Sequence, residues 1–180
     1  MCVENILACF DKANSEQVEE GATWYHVAHE VALSVGAGNI QRGAGILAAL
    51  SPRLRWDLNI AAAYELTRDG NTSRQFGANR DKALRILHGE KSCKVLGGLK
   101  VRAFYEAILH PHNRAGKAVI DRHAASVYYG VKLDAEGVDK VLGSKPKVRE
   151  IQKAYAKAAR KRGVSTYTMQ ATCWVIWRTS

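Results

Sequence analysis

The chain has 180 residues, 27 of them Lys or Arg against 17 Asp or Glu, for a formal net charge of +10, and 47% of it is hydrophobic. That apolar content excludes a disordered basic tail, and the length suits one domain or two small lobes sharing one fold. The positive excess is the electrostatic footprint of a polyanion binder. Four scattered cysteines, Cys2, Cys9, Cys93 and Cys173, form no Cys-x-x-Cys pair and no spacing for zinc or an iron–sulfur cluster. No metal and no cofactor are therefore expected. Residues 1–10 lack a basic flank, and no apolar run is long enough for a bilayer. The expectation is a monomeric cytoplasmic protein with no membrane partner.

Prolines occur only at 52, 111 and 146, and Ala, Leu, Lys, Arg and Glu are abundant between them, so an all-α fold is expected. The pattern predicts helices over 2–13, 15–35, 40–50, 54–69, 79–88, 101–109, 121–129, 147–162 and 165–178. His26, His29 and Glu30 share the second of these, but no further ligand set accompanies them. The apolar helix at 40–50 breaks at Ser51-Pro52, leaving Arg53 and Arg55 at a junction that can push a side chain into a groove. The plain alternative is a core turn around Trp56 and Leu58 with solvated arginines. Residues 71–73 read as a loop, and Asn79 as the cap of a helix that presents Leu84 and Leu87.

Next comes Leu96-Gly97-Gly98-Leu99-Lys100-Val101-Arg102-Ala103-Phe104. The glycines permit a tight turn with positive φ, and free amides at the start of the outgoing helix favour an anion. Ala103, Phe104 and Ile108 should pack, leaving Lys100 and Arg102 free. An ordinary helical corner would look the same. Asp121, nineteen residues after Arg102, follows the apolar entry Ala118-Val119-Ile120 and precedes His123. It sits at an N-cap position, and a helix N-terminus favours the ionised carboxylate, suited to stabilising positive charge.

The run from Asp134 to Lys147 reads as loops or short turns. Between Lys140 and Arg162 nine residues are Lys or Arg, with Arg149, Lys153, Lys157 and Arg160 on one stripe and Val148, Ile151, Tyr155 and Ala158 on another. The first stripe can follow a phosphate backbone. Gly163 should stop that helix and Ser165 cap the next, in which Met169, Cys173, Trp174 and Trp177 read as core and Gln170 could reach a pocket.

Taken together, these pieces resemble the helix-hairpin-helix DNA glycosylases, the endonuclease III-like superfamily. Leu96 to Ala103 approximates the family's Leu-x-Gly-x-x-x-Lys/Arg-x hairpin. Ile120-Asp121-Arg122-His123 matches its apolar-Asp-x-His element, and Ala49-Leu50-Ser51 is similar to the end of its apolar helix. The similarity spans roughly residues 40 to 130 in the right order. It implies one glycosylase-like domain over 1–180, with a central lobe of about 38–130 and a second lobe of 1–37 plus 131–180. Asp121 would be the catalytic carboxylate. Gly97, Gly98, Leu99 and Val101 would hold a phosphate, Arg53 would wedge into the duplex, and Arg55, His123, Arg149, Lys153 and Lys157 would join the DNA contact.

Arg102 falls where bifunctional members place a Schiff-base lysine, and a guanidinium cannot do that chemistry. The resemblance therefore implies a monofunctional enzyme unless Lys100 reaches the sugar. Lys100 also replaces the second hairpin glycine, and the cluster cysteines are absent. The activity implied is hydrolysis of the N-glycosidic bond of a damaged or modified base, flipped out of duplex DNA into a pocket between the lobes, as in base-excision repair. Two other readings are a non-catalytic helix-hairpin-helix DNA-binding protein and a modified-pyrimidine-processing enzyme on the same scaffold.

Overall fold

Small and straight-chain residues dominate the segments between turn signals, and these segments are helical in the computed structural model, which describes residues 2–178. Among the described residues there are eleven helices and no strand: α1 (Cys2–Phe10), α2 (Ser15–Val35), α3 (Ile40–Leu50), α4 (Trp56–Asp69), α5 (Gly77–Leu87), α6 (Ser92–Val95), α7 (Leu99–Leu109), α8 (Arg122–Tyr129), α9 (Ala135–Leu142), α10 (Lys145–Arg162) and α11 (Thr166–Trp177). No described helix is long and apolar enough to cross a membrane.

The chain divides into two compact units, a central one of His26–Pro111 and a terminal one of Met1–Tyr25 with His112–Ser180. These boundaries differ from the expected 38 and 130. Residues 26–37 stay with the central unit because His29 Nδ1 pairs with the Ile108 carbonyl at 2.8 Å and Ser34 bonds the Tyr64 hydroxyl at 2.8 Å. Residues 112–130 join the terminal unit because α8 packs on α1 and α11. Asp121 thus belongs with the chain ends.

In the central unit α3 is the hub. Its Gly43–Leu50 stretch is buried throughout, and α4, α5 and α7 pack around it. The small side chains let neighbouring backbones come close: a Cβ on Gly43 would stand 1.8 Å from the Ala32 carbonyl oxygen of α2, so that position admits only glycine. In the terminal unit α1, α8, α10 and α11 surround a core that includes Ile6, Ile151, Tyr155 and Met169.

Two helices lie outside the expected set. α6 is a single short turn, and α9 occupies part of the segment expected to be loops. Asp134 accepts the Gly137 amide to start α9, Val138, Val141 and Leu142 repeat at helical spacing, and Ser144 then caps α10 at once. The α5 helix begins two residues before Asn79, with Phe76 at the N-cap position, so Asn79 does not cap it. Its buried face is Ala83 and Ile86, one residue out of phase with the expected Leu84 and Leu87, which are half-buried. Gly163, at φ +69, and Ser165, accepting the Thr168 amide, act as expected.

Candidate nucleic-acid interface and carboxylate turn

Within the central unit, Leu96 is buried in the turn between α6 and α7, while Gly97 and Gly98 are exposed. Gly98 adopts φ +74 at the N-cap of α7, where a side chain would be strained, and it supplies no capping group. Leu99, Lys100 and Val101 form the first turn, half-buried, with amides that no helical carbonyl reaches. Ala103, Phe104 and Ile108 are buried. Arg102, however, is not free as expected: its Nε donates to the Leu96 carbonyl at 2.9 Å and closes the turn. The three residues between α6 and α7 turn the Leu96 carbonyl toward the first turn of α7, where the guanidinium meets it.

The junction after α3 is more constrained than its sequence implies. Arg53 is exposed and holds φ +60, in the left-handed region that an arginine rarely adopts. Arg55, at the N-cap of α4, pairs with Asp57 in solvent and contributes little stability. Trp56 and Leu58 are half-buried, Trp56 meeting Phe104 edge-on at 6.1 Å. The junction is held from the next loop, since Gln75 Nε2 donates to the carbonyls of Leu50 at 2.9 Å and Pro52 at 2.8 Å. That loop is itself braced, with Thr72 and Arg74 both bonded to the Glu65 carboxylate.

The outcome of this bracing is an exposed aromatic. Phe76 stands 68% exposed at the start of α5, with its amide bonded to Gln75 Oε1. Forgoing burial of a phenylalanine costs about 2 kcal/mol. Sequence reasoning missed it, and the available signal was an aromatic isolated between Arg74-Gln75 and Gly77 rather than set on an apolar face.

Within the terminal unit, Ala118, Val119 and Ile120 are buried and Gln152 donates to the Ala118 carbonyl. Half-buried Asp121 follows, its Oδ1 accepting the Ala124 amide at 2.8 Å. Exposed Arg122 donates through Nε to His123 Nε2 at 3.2 Å. Two buried phenols lie near this turn. Tyr25 donates to Gln170 Oε1 at 2.7 Å and lies tilted at 46° against Tyr167, ring centroids 5.1 Å apart, and Tyr155 donates to the Ala124 carbonyl. Burial pushes both phenols well above the usual tyrosine range, with the Asp121 charge adding to the effect.

A model of one family matches residues 1–180. The chain belongs to DUF7178, a family of unknown function. No curated protein and no solved structure matches it.

In this DUF7178 member the α10 cations beyond Lys145, at its first position, fall into two groups. Lys147, Lys161 and Arg162 each meet an acid: Glu150, Glu4 and Asp11 respectively. Arg149, Lys153, Lys157 and Arg160, at spacings of four, four and three, are exposed, and no acid pairs with them among the described residues. The stripe spans about 16 Å along the helix. The expected contact residues therefore fall in two sets. Arg53, Arg55, Gly97, Gly98, Leu99, Lys100, Val101 and Arg102 belong to the central unit, whereas Asp121, His123, Arg149, Lys153 and Lys157 belong to the terminal unit. Among the described residues no group of three His, Cys, Asp or Glu could hold a metal ion.

Proposed function

We propose that this chain binds duplex DNA and hydrolyses the N-glycosidic bond of a flipped-out base, as a monofunctional glycosylase of the helix-hairpin-helix, endonuclease III-like kind. The observation that carries the reading is Asp121, a half-buried carboxylate fixed at the start of α8 beside two buried, neutral phenols. A carboxylate so placed is oriented without a cationic partner, and a partly desolvated anion acts strongly on a developing positive charge. The C1′–N bond breaks with its electron pair leaving on the base, and Asp121 stabilises the oxocarbenium-like sugar. Water adds at C1′, and its lost proton is taken up by the departing base or by solvent.

DNA as the partner is supported by the Arg149, Lys153, Lys157 and Arg160 stripe on α10, by the uncapped start of α7, and by Arg53 and Phe76 held on braced loops. Apolar wedges and stacking aromatics favour unstacked DNA. Arg102 is held to Leu96 and is no amine nucleophile, so strand cleavage is not expected from it. A second reading, a non-catalytic DNA-binding protein, is favoured by the cap bond from Ala124, which by itself accounts for an aspartate at position 121.

The test is incubation with duplexes bearing a panel of damaged and modified bases, followed by hot alkali, for wild type and Asp121→Asn. Alkali-dependent breaks made by wild type alone support the glycosylase. Breaks without alkali implicate an amine such as Lys100. Tight, salt-sensitive binding with no breaks favours the non-catalytic reading.

A further inference from the structure

Gln170 is a polar side chain in a core position, only 5% exposed, on α11 of the terminal unit. Its amide is oriented by one bond. The buried Tyr25 hydroxyl, protonated at any physiological pH, must donate, so the atom it meets at 2.7 Å is the carbonyl oxygen Oε1. The amide nitrogen then faces the opposite way. Nε2 makes no hydrogen bond to any described residue, and it is not among the fully buried unpartnered atoms, which are Asn59 Oδ1, Arg80 Nε and Thr172 Oγ1. It is therefore reached by solvent from within a mostly buried residue.

Ordering a glutamine in a mostly buried position costs side-chain entropy, and it leaves a fixed donor facing solvent where a ligand can replace water. The Tyr167 ring, 5.1 Å from the Tyr25 ring, lies three residues before Gln170 on α11 and brings an aromatic surface to the same region. Tyr25 connects the two functional groups of this region: its hydroxyl fixes Gln170, and the Asp121 charge helps keep that hydroxyl protonated.

Resting on the glycosylase reading, we infer that Gln170 is the specificity-determining residue, donating from Nε2 to a carbonyl oxygen of the flipped base. With Oε1 turned inward to Tyr25, the amide offers donors to the ligand and little acceptor. The substrate class is a base with a carbonyl edge, a pyrimidine-dione or a 6-oxopurine, in preference to one presenting an exocyclic amine at that place. Tyr25 is a positioning residue that keeps the amide from rotating.

The experiment compares single-turnover release of uracil, 5-hydroxymethyluracil, hypoxanthine and 3-methyladenine by wild type, Gln170→Leu and Tyr25→Phe. The three carbonyl-bearing bases should be released in preference to 3-methyladenine. Gln170→Leu should slow them by about 10- to 100-fold with affinity for unmodified duplex unchanged. Tyr25→Phe should narrow the preference itself, which a merely structural role would not do. Equal release by wild type and Gln170→Leu overturns the inference while leaving the glycosylase standing. Should wild type release none of the four, the glycosylase reading fails for them, and the Gln170 side-chain amide resonance then decides the inference. It should shift on adding duplex with a 2′-fluoro uracil nucleotide and not with a 2′-fluoro adenine nucleotide. No selective shift overturns it.

Discussion

The two units start their helices differently. In the terminal unit Asp121, Asp134, Ser144 and Ser165 each accept an amide of the first turn of α8, α9, α10 and α11, and Asn14 and Gln17 exchange bonds reciprocally at the start of α2. In the central unit the N-cap residues of α4, α5, α6 and α7 are Arg55, Phe76, Lys91 and Gly98, none of which makes a side-chain cap bond; α3, capped by Asn39, is the exception. Every helix leaves its first amides without helical partners. The terminal unit satisfies one of them in each capped helix from its own side chains, each cap contributing about 1 kcal/mol. The central unit leaves them to water or to an anion, and at three of these four places puts a cation or an exposed aromatic.

The largest expected effect lies at the one terminal-unit cap proposed to do chemistry. Asp121→Asn keeps the cap, since asparagine accepts the Ala124 amide equally well. It should abolish base release in the alkali assay while DNA affinity and melting temperature stay within error. Unchanged release would reduce Asp121 to a cap like Asp134. Next in size, replacing Arg149, Lys153 and Lys157 together by Gln should flatten the slope of log affinity against log salt by about 2.7, with binding measured by fluorescence anisotropy. An unchanged slope would show the stripe to be a solvated face.

Stability in alkali should follow Tyr25 and Tyr155. Their folded-state values are raised, so the protonated phenols favour the fold up to the unfolded value near pH 10, and that stability is lost as pH rises beyond it. Each such group contributes a fall of about 1.4 kcal/mol per pH unit above pH 10, and the raised phenols of Tyr105 and Tyr128 add to it. Denaturant titrations should show the fall lessened by about 1.4 kcal/mol per pH unit in Tyr155→Phe. Smaller again, Phe76→Asp places a capping carboxylate on a residue whose φ of −123° and ψ of 167° already suit an N-cap. Denaturant midpoints should rise by the equivalent of about 1 kcal/mol while DNA affinity falls at least tenfold. Stabilisation without loss of affinity would separate the bare helix starts from binding. The smallest effect is expected at exposed Arg55, where Arg55→Ala should change stability by less than about 0.5 kcal/mol.

Much of this was readable along the chain because its causes are local. The 3.6-residue period, the Asp121 and Ser165 caps, the Gly163 stop and the stripe on α10 each depend on residues within about four positions of one another. The same locality made α9 accessible in principle, since Asp134 and the spacing of Val138, Val141 and Leu142 were all present, but Gly137 and Gly143 disguised it as a turn. Likewise the phase of α5 slipped by one residue because both Ala83/Ile86 and Leu84/Leu87 are apolar pairs at helical spacing.

By itself, then, the sequence determined an all-helical protein, most of its helix ends, and an excess of positive charge with no acid interleaved on one stripe. Only the tertiary structure decided where the chain divides, that Arg102 is spent on Leu96, that Gln75 reaches back to Leu50 and Pro52, and that Tyr25 turns the Gln170 amide outward. The physical reason lies in the kind of partner. Apolar periodicity records which face of a helix is buried, whereas a buried polar group must find a specific donor or acceptor, and in Tyr25 and Gln170 that partner is 145 residues away.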